Sequence, residues 1–453
     1  MACQLLKSQA SLVFQRGEIF TLVDWLSRLP VQSVEKSEEL VSYKAWSLFL
    51  LGKSEEALYC LTREEHIYQE NMDQLVEGRL LALRGWIANY HDDPQTKEIA
   101  QKAIERIGDQ DPFFREMALL SLGHAQRKND NMDKSTETLY IAYSTAQIAS
   151  HIYTSLAALL DIAMNLVIQG KRRESIRLCN LAIQDYVDNQ GRPLPTAELL
   201  YIPLGILLYE GNNIEQARDY LEKGISASHR LGLNRILGGD AEQTLALVYL
   251  TLNKADTDAK AFPLIKERYE AFEALLLLKQ GDLAGALAWV EWSGLYPIKK
   301  LSSFKEIPYM VIARILYKAK RYEEAWELLN NILQFDRQRG RNDRLIYVKI
   351  VSSLVLKALG RFEESRQLIE EAVNFATVEG YVRPFLSEGP EVRELLSIVR
   401  CKRPEFVTTF LADFSHPSEK IINLENLTTM NELLSERELE VMSLSQMDYL
   451  MKK

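Results

Sequence analysis

The sequence predicts an all-α fold, a TPR-like solenoid (superhelix) of helical hairpins, and three observations support this prediction. A turn-forming or polar residue recurs roughly every forty positions, and a small residue usually follows it five places later. An apolar or thiol side chain stands four places beyond the small residue. Strand-like alternation is scarce, and the 13 prolines and 21 glycines fall mostly between apolar segments. A fixed period of this length is typical of stacked hairpins and predicts one superhelix of about nine or ten repeats.

Each predicted repeat is marked by the same pair of positions. The turn residue and the residue five places later are Gly17/Leu22, Gly52/Ala57, Asp130/Ser135, Gly170/Ser175, Asn212/Ala217, Gly281/Ala286, Lys320/Ala325 and Gly360/Ser365. The side chains four places beyond the second member are Leu26, Leu61, Leu139, Cys179, Leu221, Val290, Leu329 and Ile369. Two intervals between turns are roughly doubled, so we expect degenerate repeats near His91 and Leu252.

The residue types within one repeat follow from how two helices pack. Ala325 lets the second helix lie close to the first, and Leu329 lies on the same face and fills the groove between them. The turn before them requires a residue that tolerates a left-handed or non-helical backbone. Carboxylates suit the positive end of a helix dipole, and paired glutamates open three second helices: Glu55-Glu56, Glu323-Glu324 and Glu363-Glu364. No hairpin buries enough surface to fold alone, so the repeats must stack.

Two places depart from the repeat. Pro203 interrupts the apolar run 199–209 and is expected to kink that helix. The stretch 252–263 lacks a clean second helix, so the superhelix is expected to be irregular there. Such irregularity on the concave side of a solenoid either makes room for a ligand or reflects decay of the repeat, and the sequence leaves both interpretations open.

The pattern changes towards the C-terminus. Residues 379–390 form a non-repeating corner with Gly and Pro, and a short apolar helix is predicted for 392–399. Residues 401–433 are expected to be a linker. In the last segment, 434–453, a serine is followed three places later by a glutamate (Ser435 and Glu438), a capping-box pattern that predicts the start of a new helix.

Four stretches together resemble the large MalT-like, LuxR-type transcriptional activators. Residues 17–30 resemble the entry to the superhelix of that family, and residues 45–53 are similar to its next hairpin. The corner at 379–390 looks like the exit from the superhelix, and 434–441 resembles the first helix of the LuxR-type DNA-binding domain. The resemblance implies that residues 1–400 are a superhelical sensor domain, which binds a small-molecule inducer or a regulatory protein along its concave surface.

The chain also departs from the family pattern. The family places an ATPase module before the superhelix, and we expect none before it here, since the repeat pattern is already present at residue 17. After Leu444 the family continues into the scaffold and recognition helices, whereas this sequence stops at Lys453. Residues 434–453 are therefore expected to be a truncated helix-turn-helix. DNA binding by this chain alone is expected to be absent, and no DNA-binding residue is assigned.

No catalytic or metal-binding arrangement is apparent in the sequence. Gly52-Lys53-Ser54 resembles the end of a phosphate-binding loop, but Ser47 stands where that motif needs a glycine, so we expect a hairpin turn. The six histidines (His66, His91, His124, His151, His229 and His416) form no ligand cluster, and His91-Asp92-Asp93 is expected to be a solvated loop. We therefore predict no enzymatic activity, no cofactor and no catalytic, cofactor-binding or metal site, while the ligand-binding residues are unknown. Most tryptophans are expected in the core; they are Trp25, Trp46, Trp86, Trp289, Trp292 and Trp326.

Composition narrows the setting of the protein. The net charge of −9 argues against non-specific binding to nucleic acid or acidic lipid. No run approaches the ~18 apolar residues of a membrane span, so we predict no membrane partner. The four cysteines (Cys3, Cys60, Cys179 and Cys401) are widely separated in sequence and are expected to be reduced. Together these features predict a cytoplasmic protein. Two alternatives to the sensor stay open, namely a stand-alone TPR-like scaffold that holds a protein partner and a DNA-binding regulator.

Overall fold

The computed structural model describes most of the chain up to residue 397. The described residues are 2–15, 18–51, 53–68, 73–91, 93–128, 131–231, 234–252, 266–297, 301, 306–397, 399 and 407. Within them the structure is helical, and its one extended pairing is an isolated bridge between Val187 and Pro193. The all-α, TPR-like solenoid predicted from the period is confirmed.

The helices follow one another as antiparallel neighbours along the chain. Their bounds are α1 Ala2–Gln15, α2 Ile19–Arg28, α3 Val31–Glu35, α4 Glu38–Leu50, α5 Ser54–Tyr68, α6 Gln74–Tyr90, α7 Thr96–Ile107, α8 Pro112–Lys128, α9 Met132–Ala149, α10 Ile152–Ile168, α11 Arg172–Asp185, α12 Tyr201–Glu210, α13 Ile214–Arg230, α14 Asn234–Thr251, α15 Lys266–Lys279, α16 Leu283–Trp292, α17 Glu306–Lys318, α18 Tyr322–Arg339, α19 Asn342–Ala358, α20 Phe362–Glu379, α21 Arg383–Leu386 and α22 Glu391–Ser397. Successive pairs, such as α8 with α9 and α19 with α20, pack as hairpins, and neighbouring hairpins pack on each other from α1 to α14 and from α15 to α22.

The turn residues adopt the backbone that the period predicts. A positive φ is found at every described turn position of the clear repeats from residue 170 onward: Gly170 (72°), Asn212 (64°), Gly281 (86°), Lys320 (61°) and Gly360 (75°). The small residues five places later and the apolar residues beyond them are buried, as Ala217 and Leu221 illustrate with 0% exposure. Gly17, Gly52 and Asp130 lie outside the described residues.

Serine at the small position contributes more than its size. In three repeats its hydroxyl donates a hydrogen bond to a backbone carbonyl of the preceding helix, namely Ser135 to Gly123 (2.8 Å), Ser175 to Ala163 (3.0 Å) and Ser365 to Ser353 (2.7 Å). These bonds fix the distance between the two helices of a hairpin and satisfy a buried hydroxyl. They explain why serine replaces alanine at a fully buried site.

The degenerate repeat predicted near His91 is present. The hairpin of α6 and α7 turns at His91, and Thr96 and Ala100 are buried at the expected positions of the small and the apolar residue. The other predicted irregularity, after Leu252, falls on 253–265, outside the described residues.

The prediction that Pro203 kinks a continuous helix is wrong. A short 3₁₀ helix, Ala197–Leu200, ends immediately before α12, so Pro203 lies in the first turn of a new α-helix. The missing N–H of proline is tolerated in a first turn, because few N–H groups there have a partner within the helix.

The corner after the last hairpin is present as predicted. Gly380 ends α20 in the left-handed conformation (φ 82°), and α21 and α22 follow. The predicted apolar helix at 392–399 corresponds to α22. The linker 401–433, apart from Val407, and the segment 434–453 lie outside the described residues. Among the described helices, none combines the length and the hydropathy needed to span a bilayer.

Candidate functional site: a cavity where the superhelix closes

The superhelix closes on itself between hairpins that are far apart in sequence. Helix α10 lies against α19, and α12 lies against α21. The Val382 N–H donates to the carbonyl of Glu210 (2.8 Å), and the Asn342 side-chain amide donates to the carbonyl of Gln169 (3.0 Å). We call this contact between the middle and the last repeats the closure.

Charged and apolar groups also meet in the closure. The Arg172 guanidinium donates to the carbonyl of Glu379 (3.4 Å), and the Arg173 backbone N–H donates to the Glu379 carboxylate (3.2 Å). The ring of Phe375 reaches the turn at Gly170, where an added Cβ would lie 2.5 Å from Cζ of that ring. Gly170 therefore provides the positive φ of the turn and also leaves space for the ring of Phe375 to pack against the turn.

A carboxylate and a phenol join α12 to α19 in the closure. The Tyr347 hydroxyl lies 2.9 Å from Oε2 of Glu210 and donates a hydrogen bond to the carboxylate. Burial raises the pKa of Glu210 to about 8, even though the bond from Tyr347 favours the charged form. A carboxyl group that is close to neutral at physiological pH is thus one of the links across the closure.

A cavity of about 300 Å³ lies beside the closure. Its wall is formed by α10, α12, α14, α15, α17, α18 and α19, together with Arg341, Tyr381 and Ser387. Part of the wall is apolar and is supplied by Val167, Ile206, Leu247, Leu275, Met310 and Val311. The volume is at the lower end of the range of small-molecule sites, about 300–1,000 Å³.

Asp336 of α18 is the most unusual residue of the cavity wall. Its side chain is fully buried, and neither carboxylate oxygen has a hydrogen-bond partner. Burial and the neighbouring Asp343 raise the pKa of Asp336 to about 7, against the opposing effect of Arg341 and Arg339. A buried polar group without a partner costs about 1–3 kcal/mol or more, so its retention points to a role in binding.

Further wall residues leave polar atoms without a partner. The Arg341 guanidinium lies 3.3 Å from one oxygen of Asp343, while the other oxygen of Asp343 and Nε of Arg341 have none. Oε2 of Glu242 on α14 and the Tyr381 hydroxyl are likewise buried and unpartnered. Burial raises the pKa of Glu242. These atoms come from α14, α18, α19 and the two turns after α18 and α20, so a ligand that satisfied them would bridge both sides of the closure.

Arg314, another charged wall residue, has a partner within the protein. It forms a bidentate pair with Glu388, with Nε 2.9 Å from Oε1. Burial disfavours the charged guanidinium, but Glu388 outweighs this effect and raises the pKa of Arg314. Arg314 is therefore satisfied within the protein and fastens α17 to the corner.

His124, His151 and the turn at Lys53, which were noted in the sequence, have structural roles. The Lys53 N–H donates to the carbonyl of Leu48 (2.9 Å), and its ammonium pairs with Glu56 (3.1 Å), which is the geometry of a hairpin turn. Nε2 of His124 lies 2.5 Å from Asp161, and Nδ1 of His151 lies 2.9 Å from the Glu116 carboxylate. Both histidine pairs join neighbouring hairpins. Across the described part of the chain, no three His, Cys, Asp or Glu side chains are grouped to hold a metal ion.

The tryptophans divide between core and surface. Trp46 and Trp289 are buried, and Trp86 and Trp326 are partly buried. Trp25 and Trp292 are exposed, by 39% and 63%. Four of the six are thus buried or partly buried, which agrees with the expectation for most tryptophans, while Trp25 and Trp292 are exposed because a solenoid presents much of each helix to solvent.

A second concave region lies in the N-terminal repeats. This N-terminal groove, of about 390 Å³, is lined by Val34, Glu35, Val41, Lys44, Leu48, Glu55, Glu56, Tyr59, Cys60 and Arg63. Its wall combines charged side chains with the 66% exposed Tyr59 and contains no polar atom known to be both buried and unpartnered. It resembles an open surface groove more than a small-molecule site.

The family comparison agrees with the repeat architecture. Residues 78–402 match the family model described as the MalT-like TPR region. A relative from Cronobacter sakazakii, named HTH-type transcriptional regulator MalT, is 22% identical over 426 residues, which cover 88% of this chain and 46% of the relative. The chain thus spans about half the length of that relative. A solved chain of the APC/C hetero-tetramer Cut9–Hcn1 aligns over 90% of this chain and 89% of its own length, at 13% identity and a TM-score of 0.38.

Proposed function

Since the chain belongs to the MalT-like TPR region family, we propose that it is the signal-sensing region of a transcriptional regulator and that a small-molecule inducer binds in the cavity beside the closure. In this proposal residues 1–400 are the sensor, 401–433 a linker and 434–453 the start of a helix-turn-helix segment. The protein carries out no chemistry on the ligand and works in the cytoplasm.

The observation that carries the proposal is Asp336, a fully buried aspartate without a partner in the wall of a 300 Å³ cavity. A structural core would favour an apolar residue there, because an unsatisfied carboxylate destabilises the fold. In a binding site such a carboxylate is expected, since a bound ligand supplies the hydrogen bonds that the carboxylate lacks in the free protein.

The position of the cavity suggests how binding becomes a signal. A ligand that contacts α10 and α12 on one side and α18 and α19 on the other stabilises the closure. If open and closed forms of the superhelix coexist, such a ligand shifts the population towards the closed form. The corner after α20 takes part in the closure through Val382 and Arg383, so the shift reaches the end of the superhelix.

The second candidate function is a TPR-like scaffold that holds a protein partner. The N-terminal groove favours it, because this groove is open and lined by charged side chains and an exposed tyrosine. Peptide recognition in such a groove would leave the closure cavity unused.

Thermal-shift screening against metabolites and peptides tests the proposal. A ligand that binds the folded state alone raises the melting temperature. We expect small-molecule hits whose effect is lost in Ala246→Trp, which fills the cavity from α14. The control is Ala319→Trp, at a half-buried alanine outside the cavity wall, and it should keep the shift. If only peptides bind, and Ala246→Trp does not affect their binding, the sensor function would be rejected in favour of the scaffold function.

A further inference from the structure

The cavity wall has more unsatisfied acceptors than donors. Four carboxylate oxygens without partners line it, two on Asp336, one on Asp343 and one on Glu242. Against them stand two donors without partners, Nε of Arg341 and the Tyr381 hydroxyl. A ligand that complements this wall supplies N–H groups to carboxylates.

The charges of the wall point the same way. Five carboxylates line the cavity (Glu210, Asp240, Glu242, Asp336 and Asp343), together with four basic residues (Lys279, Arg314, Arg341 and Arg344). Arg314 is paired with Glu388, which is not a wall residue, and Glu210 is close to neutral at physiological pH, so four carboxylates stand against three basic residues. The wall therefore favours a positively charged ligand.

The carboxylates do not form a metal site. Asp336, Asp343 and Glu242 lie on three different helices, and no three metal-type side chains among the described residues are grouped for coordination. A divalent cation needs several oxygen ligands around one point. An organic cation needs only one carboxylate for its ammonium group, and its body can occupy the rest of the cavity.

The remaining wall is suited to an apolar body. Ile206, Leu247, Leu275 and Met310 supply aliphatic surface, and Phe272 and Tyr209 supply aromatic rings. Aromatic rings add attraction for a cation, and aliphatic groups bury the hydrocarbon part of a ligand.

We propose that the cavity binds a small organic amine, with its ammonium group against Asp336 and its apolar part against the aliphatic wall. This inference rests on the proposed function and specifies the chemical class of the ligand. Because the carboxyl group of Asp336 is partly protonated near neutral pH, binding of an ammonium group releases its proton, and affinity rises with pH until the free carboxyl is ionised.

Titration calorimetry with matched probes tests the proposal. The probes are 2-phenylethylamine, tyramine and 1,6-diaminohexane, each compared with its alcohol analogue, namely 2-phenylethanol, tyrosol and 1,6-hexanediol. We expect at least one amine to bind about tenfold or more tightly than its alcohol, and more tightly at about pH 8 than at about pH 6. Asp336→Asn should weaken amine binding at least about tenfold, whereas Asp219→Asn, at an exposed aspartate outside the wall, should not.

Three results would overturn the inference: no amine binds at millimolar concentration, alcohols bind as tightly as amines, or Asp336→Asn keeps full affinity. Glu242→Gln provides a second variant if Asp336→Asn does not fold, and it should also weaken amine binding. Neutral ligands that bind wild type and Asp336→Asn alike, yet fail to bind Ala246→Trp, would leave the sensor function standing and refute only the amine class. Absence of any cavity ligand would refute both.

Discussion

Two buried aspartates of this protein have opposite environments. Asp161 is held by His124 and by Arg127, whose guanidinium lies 3.2 Å away, and these partners lower its pKa although burial alone would raise it. Asp336 has no hydrogen-bond partner, and burial raises its pKa. The same residue type therefore stabilises the fold at one position and destabilises it at the other.

Replacing each aspartate by asparagine should change stability in opposite directions. At about pH 8 we expect Asp336→Asn to raise the free energy of unfolding by on the order of 2–4 kcal/mol, since it removes an uncompensated buried charge. Asp161→Asn should lower it by about 3 kcal/mol, because Arg127 loses its counter-charge and His124 loses the carboxylate it contacts. Thermal denaturation of both variants and of Asp219→Asn as the exposed control measures the two effects, and a loss of stability in Asp336→Asn would contradict the assignment.

The pH dependence of these two variants follows from the direction of each shift. The folded pKa of Asp336 lies above its ordinary value of 3.8, so its penalty is absent below about pH 4 and grows as the pH rises to about 7. The advantage of Asp336→Asn over wild type should therefore grow between about pH 4 and 7 and stay constant above that. The contribution of Asp161 is present above its ordinary pKa and is lost as the pH falls through its lowered folded value. Melting temperatures across this pH range check both trends, and a constant difference between Asp336→Asn and wild type would refute the raised pKa.

Individual contacts were predictable only where they repeat. The burial of Ala217 and Leu221 follows from the period, because equivalent positions of each hairpin face the same neighbour. The environment of Asp336 was not predictable, since the cavity that it lines together with residues of α14 and α19 exists only after the superhelix has formed. Nothing in the local sequence distinguishes Asp336 from an aspartate near the exposed end of a helix.

At the scale of helices and turns, glycine either provides a left-handed backbone or, in addition, leaves space for a distant side chain. Substitutions at Gly170 and Gly360 distinguish these two roles. Gly170 and Gly360 are both turn residues with φ near 70–75°, but only Gly170 is approached by a distant side chain, the ring of Phe375. Gly360→Ala should cost about 1–2 kcal/mol from the left-handed backbone alone. Gly170→Ala should cost more, because its Cβ would displace Phe375 from the closure. Equal losses of melting temperature in the two variants would show that the closure does not press on Gly170.

The bond between Tyr347 and Glu210 should contribute specifically to the closure. Tyr347→Phe leaves a buried carboxyl without its donor, at a cost of about 1–3 kcal/mol, and should speed hydrogen exchange in α12 and α19. Tyr249→Phe is the matched control, because the Tyr249 hydroxyl donates to Glu222 (2.7 Å) between two adjacent hairpins. If hydrogen exchange in α19 is no faster in Tyr347→Phe than in the control Tyr249→Phe, the bond between Tyr347 and Glu210 does not hold the closure.

The helices themselves were largely predictable, and the exceptions have physical causes. The turn residues, the paired glutamates and the corner at Gly380 are local features that the sequence specifies directly. The prediction for Pro203 is wrong because the effect of a proline depends on where its helix begins. Here α12 begins at Tyr201, directly after the 3₁₀ segment, so Pro203 lies in the first turn. The hydrogen bonds of Ser135, Ser175 and Ser365 were missed because a small residue predicts close approach without indicating a bond.

At the scale of the whole molecule, the closure depends on the rotation between successive hairpins, which the sequence of one repeat does not reveal. Each hairpin is rotated slightly against the previous one, and the sum of these rotations decides which distant repeats meet. Helix α10 meets α19 across a separation of 173 residues, as between Gln169 and Asn342, and the cavity exists only because the two helices meet. The sequence therefore predicted a sensor with a concave binding surface but not the position of its site.

Hydrogen–deuterium exchange with a small-molecule hit from the thermal-shift screen tests most directly whether the closure cavity is the ligand site. Ligand should slow exchange in α10 and α12 on one side and in α18 and α19 on the other, and leave α4 and α5 unchanged. The slowing should disappear in Ala246→Trp and persist in Ala319→Trp. Slowed exchange confined to α3, α4 and α5, with α18 and α19 unaffected, would contradict the account and place the binding site in the N-terminal groove.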